Sequence, residues 1–194
     1  MRSITLIALS VLAVAGCSGE RVVNTGQWES TEAPSVSAAP PLPPTNPTHL
    51  ANAFDFAQNP SGQAAYYFAT PSGRWQCAIL PRDKAGCQAA GGSLNVAGTP
   101  ATVPDAAGQP TTPNAIVVET TGDAHFAALA AGTLTPPQTA QVLPLNRTLI
   151  VARFRCNVQE ATGVSCLNED SGRGFTFSAE GFAPQYNEVP VDAA

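Results

Sequence analysis

Apolar and polar residues alternate with a period of two along much of the chain after residue 48, a pattern typical of β-strands. The segments with this pattern are 64–70, 74–79, 116–118, 148–158 and 175–177. In the longest, 148–158, the alternation predicts a single strand that directs Ile150 and Phe154 to one side and Arg153 and Arg155 to the other. We therefore expect a mostly β fold, as a small antiparallel sandwich or an open barrel.

One or two short helices are expected beside these strands. Residues 123–131 have Asp123 as a helix cap and Gly132 as a stop, and Ser178 can cap a helical turn that continues to Phe182. If residues 85–90 are helical together with 123–131, the fold is α+β instead. The sequence leaves that alternative open.

Two stretches of the chain share the pattern Arg–aromatic–polar–Cys–any–aliphatic, and in each a second Cys follows ten residues after the first. A strand, a short turn and a returning strand would place the two cysteines opposite each other, at a distance that a disulfide can bridge. Each bridge would contribute about 2–3 kcal/mol, mainly by restricting the unfolded chain. Two other connectivities remain possible on sequence grounds. The predicted bridges are Cys77–Cys87 and Cys156–Cys166.

The first residues have the features of an export signal. Arg2 is followed by an apolar run over 4–15, which is too short for a bilayer span of ~20 residues. The run ends in Val14-Ala15-Gly16-Cys17, which resembles the bacterial lipobox. This resemblance implies cleavage after Gly16 and acylation of Cys17, which gives a lipid anchor. Acylation would also leave four cysteines, an even number that can pair.

The rest of the chain divides into a tether and a domain. Residues 17–48 are rich in Ser, Thr and Pro, include the run 40–44 with four prolines, and cannot bury a core. We expect an extended spacer there and one β-rich domain over 49–194. The predicted organisation is a signal peptide at 1–16, the tether and this domain, on the outer face of the cell membrane.

Composition and charge exclude several classes of function. Of the 194 residues only 12% are charged, the formal net charge is −5, and Lys84 is the one lysine. Binding to nucleic acid needs clustered lysine and arginine to neutralise phosphates, so no nucleic-acid partner is expected.

Catalytic and metal-binding motifs are missing as well. The chain has no G-x-S-x-G, S-x-x-K or H-E-x-x-H sequence, and His49 and His125 stand apart from one another. The cysteine spacing lacks the short knuckle of zinc sites, and residues 168–172 have the composition of a calcium loop without its spacing. We expect no metal, no cofactor and no catalysis.

Arginine is the residue type that suggests a ligand. Arg153 and Arg155 share one face of the predicted strand, Arg74 occupies the position of Arg153 in the repeated pattern, and Arg173 lies in a following turn. If the two hairpins pack side by side, these four residues form a cationic patch for an anionic glycolipid headgroup or a cell-wall phosphate. In the alternative, they cover sheet edges and pair with Glu160, Glu169 or Asp170.

Two short motifs carry a family resemblance. Pro71-Ser72-Gly73 precedes a strand cysteine, and residues 163–168 lead into Ser171-Gly172-Arg173-Gly174-Phe175. These motifs resemble an uncharacterised domain that recurs in secreted and lipid-anchored proteins of mycobacteria and other actinobacteria. The resemblance implies an extracytoplasmic location and a disulfide-stabilised β domain, and it brings no catalytic residues.

Together these patterns predict a lipid-anchored envelope protein with a non-catalytic binding or interaction domain. Its partners would be the membrane, through the anchor, and an envelope protein, a glycolipid or a cell-wall component. The alternative is an envelope hydrolase whose active site matches no known motif.

Overall fold

The computed structural model describes residues 41–193. The predicted signal peptide, Cys17 and the tether up to residue 40 lie outside the described residues. Within 41–193 no helix has both the length and the apolar character needed to cross a membrane.

The described residues form fourteen strands and three short 3₁₀-helices. The 3₁₀-helices are Pro47–His49, Ala53–Phe56 and Pro60–Gly62. The strands are β1 Ala57–Gln58, β2 Ala65–Ala69, β3 Trp75–Leu80, β4 Lys84–Ala89, β5 Val103–Pro104, β6 Pro110–Thr111, β7 Ala115–Glu119, β8 His125–Ala127, β9 Gln141–Val142, β10 Arg147–Val151, β11 Phe154–Gln159, β12 Gly163–Asn168, β13 Arg173–Ser178 and β14 Gly181–Ala183.

The fold consists mainly of two β-sheets. The first has the order β1-β2-β3-β4-β7-β8 with antiparallel neighbours, and β9 pairs with β2 in parallel. The second is an antiparallel meander in the order β10-β11-β12-β13-β14. Strands β5 and β6 form a separate ribbon. The prediction of a mostly β, antiparallel sandwich is confirmed.

The core lies between the inner faces of the two sheets. Trp75 of the first sheet meets Phe177 of the second with ring centroids 4.7 Å apart, nearly edge to face. Strand β12 packs over β4 and β7. Other buried core residues come from both sheets: Phe68, Ile79, Ile116, Val118, Leu149, Phe154, Val164 and Phe175.

Both disulfides lie inside this core. Cys77 pairs with Cys87 across β3 and β4, and Cys156 pairs with Cys166 across β11 and β12. The partners stand directly opposite in register, with Cα atoms 4.0 and 4.2 Å apart. These are the pairings that the ten-residue spacing predicted.

The single long strand expected over 148–158 is wrong. The chain turns back at Ala152 and Arg153, so that β10 and β11 form a hairpin in which Val151 faces Phe154. Both turn residues have positive φ, at 51° and 68°, as a two-residue type I′ turn requires. Such turns usually carry Asn-Gly, and Ala-Arg gives no comparable signal in the sequence.

The expected helices are wrong too. Residues 125–127 form β8, where Phe126 pairs with Ile116, and residues 178–183 form the β13–β14 hairpin. The helix at 85–90 on which the α+β alternative depended is strand β4. Ser178 does cap a turn, since its Oγ accepts a hydrogen bond from the Glu180 amide at 3.1 Å, but the turn joins two strands.

Candidate functional site

Arg155, one of the four arginines of the predicted patch, is buried. Its side chain is 4% exposed, and it donates to Glu169 Oε1 from Nη2 at 3.0 Å and to Glu188 Oε2 from Nη1 at 2.6 Å. Nη1 also donates to the Pro43 carbonyl at 3.0 Å. Burial works against the charge, but the hydrogen bonds to Glu188 and Glu169 outweigh it and raise the pKa of Arg155. Arg155 therefore joins three segments of the chain and is closed to a ligand.

The segment over Arg155 is the C-terminal strap, residues 184–193. Asn157 Nδ2 donates to the Tyr186 hydroxyl at 2.8 Å and to the Asn187 carbonyl at 2.9 Å, and Thr176 Oγ1 donates to the Gln185 carbonyl at 2.8 Å. Burial raises the pKa of Tyr186 well above its ordinary value. The strap thus satisfies Asn157 and Thr176 of the second sheet, which is a structural role, although the buried Thr148 hydroxyl opposite Asn157 has no hydrogen-bond partner among the described residues.

The other three arginines lie apart from one another. Arg153 pairs with Asp170 at 2.6 Å, and Arg173 pairs with Asp123, all four side chains being more than half exposed. Arg74 is exposed and has no ion pair within residues 41–193. Arg153, Arg173 and Arg74 border different depressions. The structure therefore does not bring the four residues together, and pairing with Glu169 and Asp170 follows the alternative that the sequence left open.

A larger site lies at the end of the sandwich where β3 ends. We call it the tyrosine–arginine cleft. It has a volume of about 800 Å³ and lies between the β3–β4 turn, the β10–β11 turn and the residues before β2. Its principal side chains are Tyr66, Tyr67, Leu80, Arg82, Asp83 and Arg153. Aromatic and apolar walls with a few charged groups at the rim are typical of a ligand site.

Backbone strain is concentrated at this cleft. Four residues other than glycine have positive φ in the described chain, and Arg82, Ala152 and Arg153 are three of them, at 63°, 51° and 68°. Only Asn146, a residue type that tolerates this conformation, lies elsewhere. The two turns are held by flanking bonds, among them Glu169 N to Arg153 O at 2.8 Å and Thr120 N to Asp83 O at 3.1 Å. Strain that persists in this way is common at functional sites.

The cleft has one cation that no acid of residues 41–193 neutralises. Arg82 is exposed and forms no ion pair there, whereas its neighbour Asp83 lies 3.6 Å from Lys84. Lys84 also pairs with Glu119 at 2.8 Å. Burial works against the lysine charge, but the contacts with Glu119 and Asp83 outweigh it and raise the pKa of Lys84. Asp83 is thus engaged, and the Arg82 charge stays available for an anion.

Tyr66 and Tyr67 border the cleft from opposite faces of β2, because successive residues of a strand point to opposite sides. Tyr66 packs against the core between the sheets, and Tyr67 belongs to the apolar cluster on the outer face of the first sheet. Burial raises the pKa of Tyr67, which is 4% exposed. The half-buried Tyr66 therefore supplies the aromatic ring and phenolic group that border the cleft together with Arg82.

A smaller cleft of about 340 Å³ opens at the other end of β3. Trp75, Val164 and Phe177 form its floor, with Arg74 and Glu160 at the rim. The turn at Pro71–Gly73 leads into it, and the Trp75 amide donates to Thr70 Oγ1 at 3.2 Å. We call it the indole cleft.

The motifs behind the family resemblance have structural roles. A Cβ on Gly163 would lie 2.2 Å from the Phe177 carbonyl oxygen, and one on Gly174 would lie 2.4 Å from the Cys166 carbonyl oxygen. Asn168 caps the β12–β13 turn, accepting from the Asp170 amide at 2.8 Å, and donates to the Glu119 carbonyl at 2.9 Å, which links the two sheets. Its Oδ1 is therefore already occupied within the calcium-like stretch. Over residues 41–193 no three His, Cys, Asp or Glu side chains cluster as metal ligands would.

Sequence reasoning missed Tyr66, Tyr67 and Arg82. The two tyrosines were assigned to a strand and Arg82 to a turn. Nothing in either segment of the sequence indicates that the strand and the turn border the same cleft. A possible signal was Arg82 itself, which follows Pro81 in a tight turn where Gly or Asn is usual. Comparison of the chain with protein-family models, with curated proteins and with solved structures gives no match.

Proposed function

We propose that this chain is a cell-envelope lipoprotein, anchored through Cys17, whose β domain is a non-catalytic binding module. The tyrosine–arginine cleft holds the ligand, an anionic envelope component such as a glycolipid headgroup or a cell-wall phosphate. The observation that carries the proposal is the cleft itself, where Arg82 stands unneutralised on a strained turn and Tyr66 lines the same cleft.

The polar groups of the cleft support binding over hydrolysis. An envelope hydrolase needs a nucleophile or an activated water beside a base. The carboxylate in the lining is Asp83, which is held by Lys84. A guanidinium and a phenol can recognise a phosphate or a carboxylate on a sugar, since they offer charge, hydrogen-bond donors and a flat apolar surface.

The anchor is tested by Cys17→Ala in the full-length protein. The variant should lose the mass of the acyl groups and leave the detergent phase. A variant that still enters the detergent phase at the mature mass of the wild type contradicts the anchor.

The ligand site is tested by purifying the full-length lipoprotein from native membranes and identifying bound lipids, glycans and proteins by mass spectrometry. Arg82→Gln should reduce the recovered anionic ligand about ten-fold or more, which corresponds to losing one charge-assisted contact. Arg74→Gln is the matched control, because Arg74 is equally unpaired but borders the indole cleft.

Two results would contradict the proposed site. In the first, Arg74→Gln and Arg82→Gln lose the same ligand to the same extent. In the second, the ligand recovered is uncharged and its yield does not fall as salt rises, although salt screens an exposed charge pair.

A further inference from the structure

Three large apolar side chains that face solvent are grouped at one place on the domain. Six are exposed among the described residues, and two of them, Leu50 and Val142, line one shallow groove beside β9 and β10. Phe54 directly precedes Asp55 and Phe56 of the same groove. The exposed fractions are 41% for Leu50, 88% for Phe54 and 49% for Val142. We call these three residues the apolar ridge. Scattered apolar residues need no explanation, but a cluster on one face indicates an interaction surface.

The ridge is held rigidly. Phe54 stands on the 3₁₀-helix Ala53–Phe56, which Asn52 caps by accepting the Phe54 amide at 3.2 Å. Leu50 bridges to Thr148 of β10, and the next amide, of Ala51, donates to the Thr148 carbonyl at 2.9 Å. Val142 lies on β9, which pairs with β2. Because the backbone is fixed by these bonds, Phe54 is displayed outward by the fold itself.

The ridge directly follows the predicted tether. The described end of the tether is bound to the domain, since Arg147 donates to the Thr48 carbonyl and Asn46 Nδ2 donates to the Val191 carbonyl at 3.5 Å. Between Cys17 and Pro41 lie 23 residues, 18–40, which span at most about 85 Å when fully extended. An anchored domain is therefore held within that distance of the bilayer, and this confinement raises its effective concentration at the lipid surface.

The groove beside the ridge adds no net charge to this surface. The groove beside the ridge contains one acidic and one basic side chain, Asp55 and Arg147. Both are at the exposed surface, where they can meet lipid headgroups while the apolar side chains reach the acyl boundary.

We infer that the apolar ridge docks on the lipid bilayer and orients the domain on the membrane. The inference rests on the proposed lipid anchoring, and the occupant that it names is a lipid surface. Phe54 enters the acyl boundary, together with Leu50 and Val142.

The test uses acylated full-length protein in vesicles of phosphatidylethanolamine and phosphatidylglycerol at 3:1, with bromine on the acyl chains to quench nearby tryptophan. Phe54→Trp places a reporter on the ridge. Ala106→Trp is the control, because Ala106 is exposed in the turn between β5 and β6, and β5 contacts β8 at the opposite edge of the first sheet from β9. After subtraction of the wild-type signal, quenching should be at least two-fold stronger for Phe54→Trp. Equal quenching overturns the inference.

A second arm separates the ridge from the anchor. The described core and both disulfides lie within residues 41–193, so a chain of residues 17–194 with Cys17→Ser keeps the whole domain. At millimolar lipid, Phe54→Ser should lower its partition into the same vesicles about ten-fold or more, as expected for losing one buried aromatic side chain. Ala106→Ser should leave the partition unchanged.

The outcomes distinguish the two proposals. The intact mass shows whether the protein is acylated. If it is acylated but neither quenching nor partition depends on the ridge, the docking of the ridge is overturned and the lipid anchor stands. If the full-length protein is not acylated but partition still depends on the ridge, the lipid anchor alone is overturned. A wild-type dimer that Phe54→Ser dissociates would overturn the bilayer as occupant in favour of a second copy.

Discussion

Removal of the two disulfides tests how the sandwich is stabilised. The variants are Cys77→Ala with Cys87→Ala, Cys156→Ala with Cys166→Ala, and all four together. Each bridge closes a loop of ten residues in sequence separation, and all four cysteines are fully buried. Because Cys87 is on β4 and Cys166 is on β12, which pack against each other, both bridges belong to one core.

The cost of each removal has two parts. Releasing a loop of this length restores chain entropy to the unfolded state worth about 2.7 kcal/mol at 25 °C. Replacing two buried sulfur atoms by hydrogen leaves a void that the core fills only in part, at about 1 kcal/mol. We expect each pair to lower the free energy of unfolding by about 4 kcal/mol, a large fraction of the ~5–15 kcal/mol typical of a domain.

The quadruple variant measures whether the two hairpins act independently. From the sequence spacing alone, each disulfide would join only its own hairpin, and the losses of unfolding free energy in the two double variants would add. Their shared core predicts a different result, since a second void opens in a core that has already relaxed. The quadruple variant should be more stable than additivity predicts, by about 0.5 kcal/mol or more.

Urea unfolding of the three variants at 25 °C provides these free energies, and each m-value should rise because an unbridged unfolded chain exposes more surface. Non-reducing peptide mapping of the wild type confirms the pairing first. Costs below 1 kcal/mol for each pair, or additivity within about 0.3 kcal/mol, would refute the reasoning that both bridges stabilise one common core.

Three further predictions concern single residues. Arg155→Met should cost about 3–5 kcal/mol in urea unfolding, because Glu169 and Glu188 lose their buried partner, while Arg153→Met at an exposed pair should cost less than about 1 kcal/mol. Gly163→Ala should destabilise well beyond Gly108→Ala, because both have positive φ but a Cβ meets the Phe177 carbonyl oxygen only at Gly163; a similar fall in melting temperature for both would contradict the contact. Burial raises the pKa of Tyr186, so the unfolded tyrosine loses its proton first as pH rises above about 10, and stability should fall there by up to about 1.4 kcal/mol per pH unit. Tyr186→Phe should flatten that fall, and an unchanged alkaline slope in denaturation curves between pH 9 and 11 would count against it.

The strands were predictable where one face is buried and the other is not. Alternation identified β2, β3, β7 and β13, and the ten-residue cysteine spacing identified the β3–β4 and β11–β12 hairpins. These signals are local, because the period of side chains and the reach of a disulfide act over a few residues.

The errors have one common cause, which is hydrogen bonding between strands that are neighbours in the chain. Residues 123–131 carry a cap, a stop and helix-forming alanines, yet Phe126 pairs with Ile116 and Ala127 with Ala115. The hydrogen bonds of β7 are completed by β8 at the sheet edge, and this gain exceeds the weak preference of a short alanine-rich segment for helix. The turn at Ala152–Arg153 was missed for the same reason. The strands on both sides impose a positive φ, which these two residue types disfavour.

The candidate site was beyond local reasoning because its parts are far apart in sequence. Arg82 and Arg153 border one cleft although about 70 residues separate them, and the two hairpins meet only when the sheets stack. The arginine pattern pointed to the right residue type, but the fold uses Arg155 to hold the strap and pairs Arg153 with Asp170.

The division between motif and site follows from the same geometry. Gly163, Asn168 and Gly174 lie where backbones approach closely or a turn needs a cap, so any change there disturbs the packing of the sheets. The cleft residues Arg82 and Arg153 stand on turn tips, where a side chain can change without loss of a core contact. Arg82 and Arg153 have positive φ, which glycine or asparagine would adopt with less strain. The arginines at these positions add charge at the cost of backbone strain. A turn with only a structural role would do better with glycine or asparagine at these positions. Arginine there is expected when the side chain binds a ligand at the rim of the cleft.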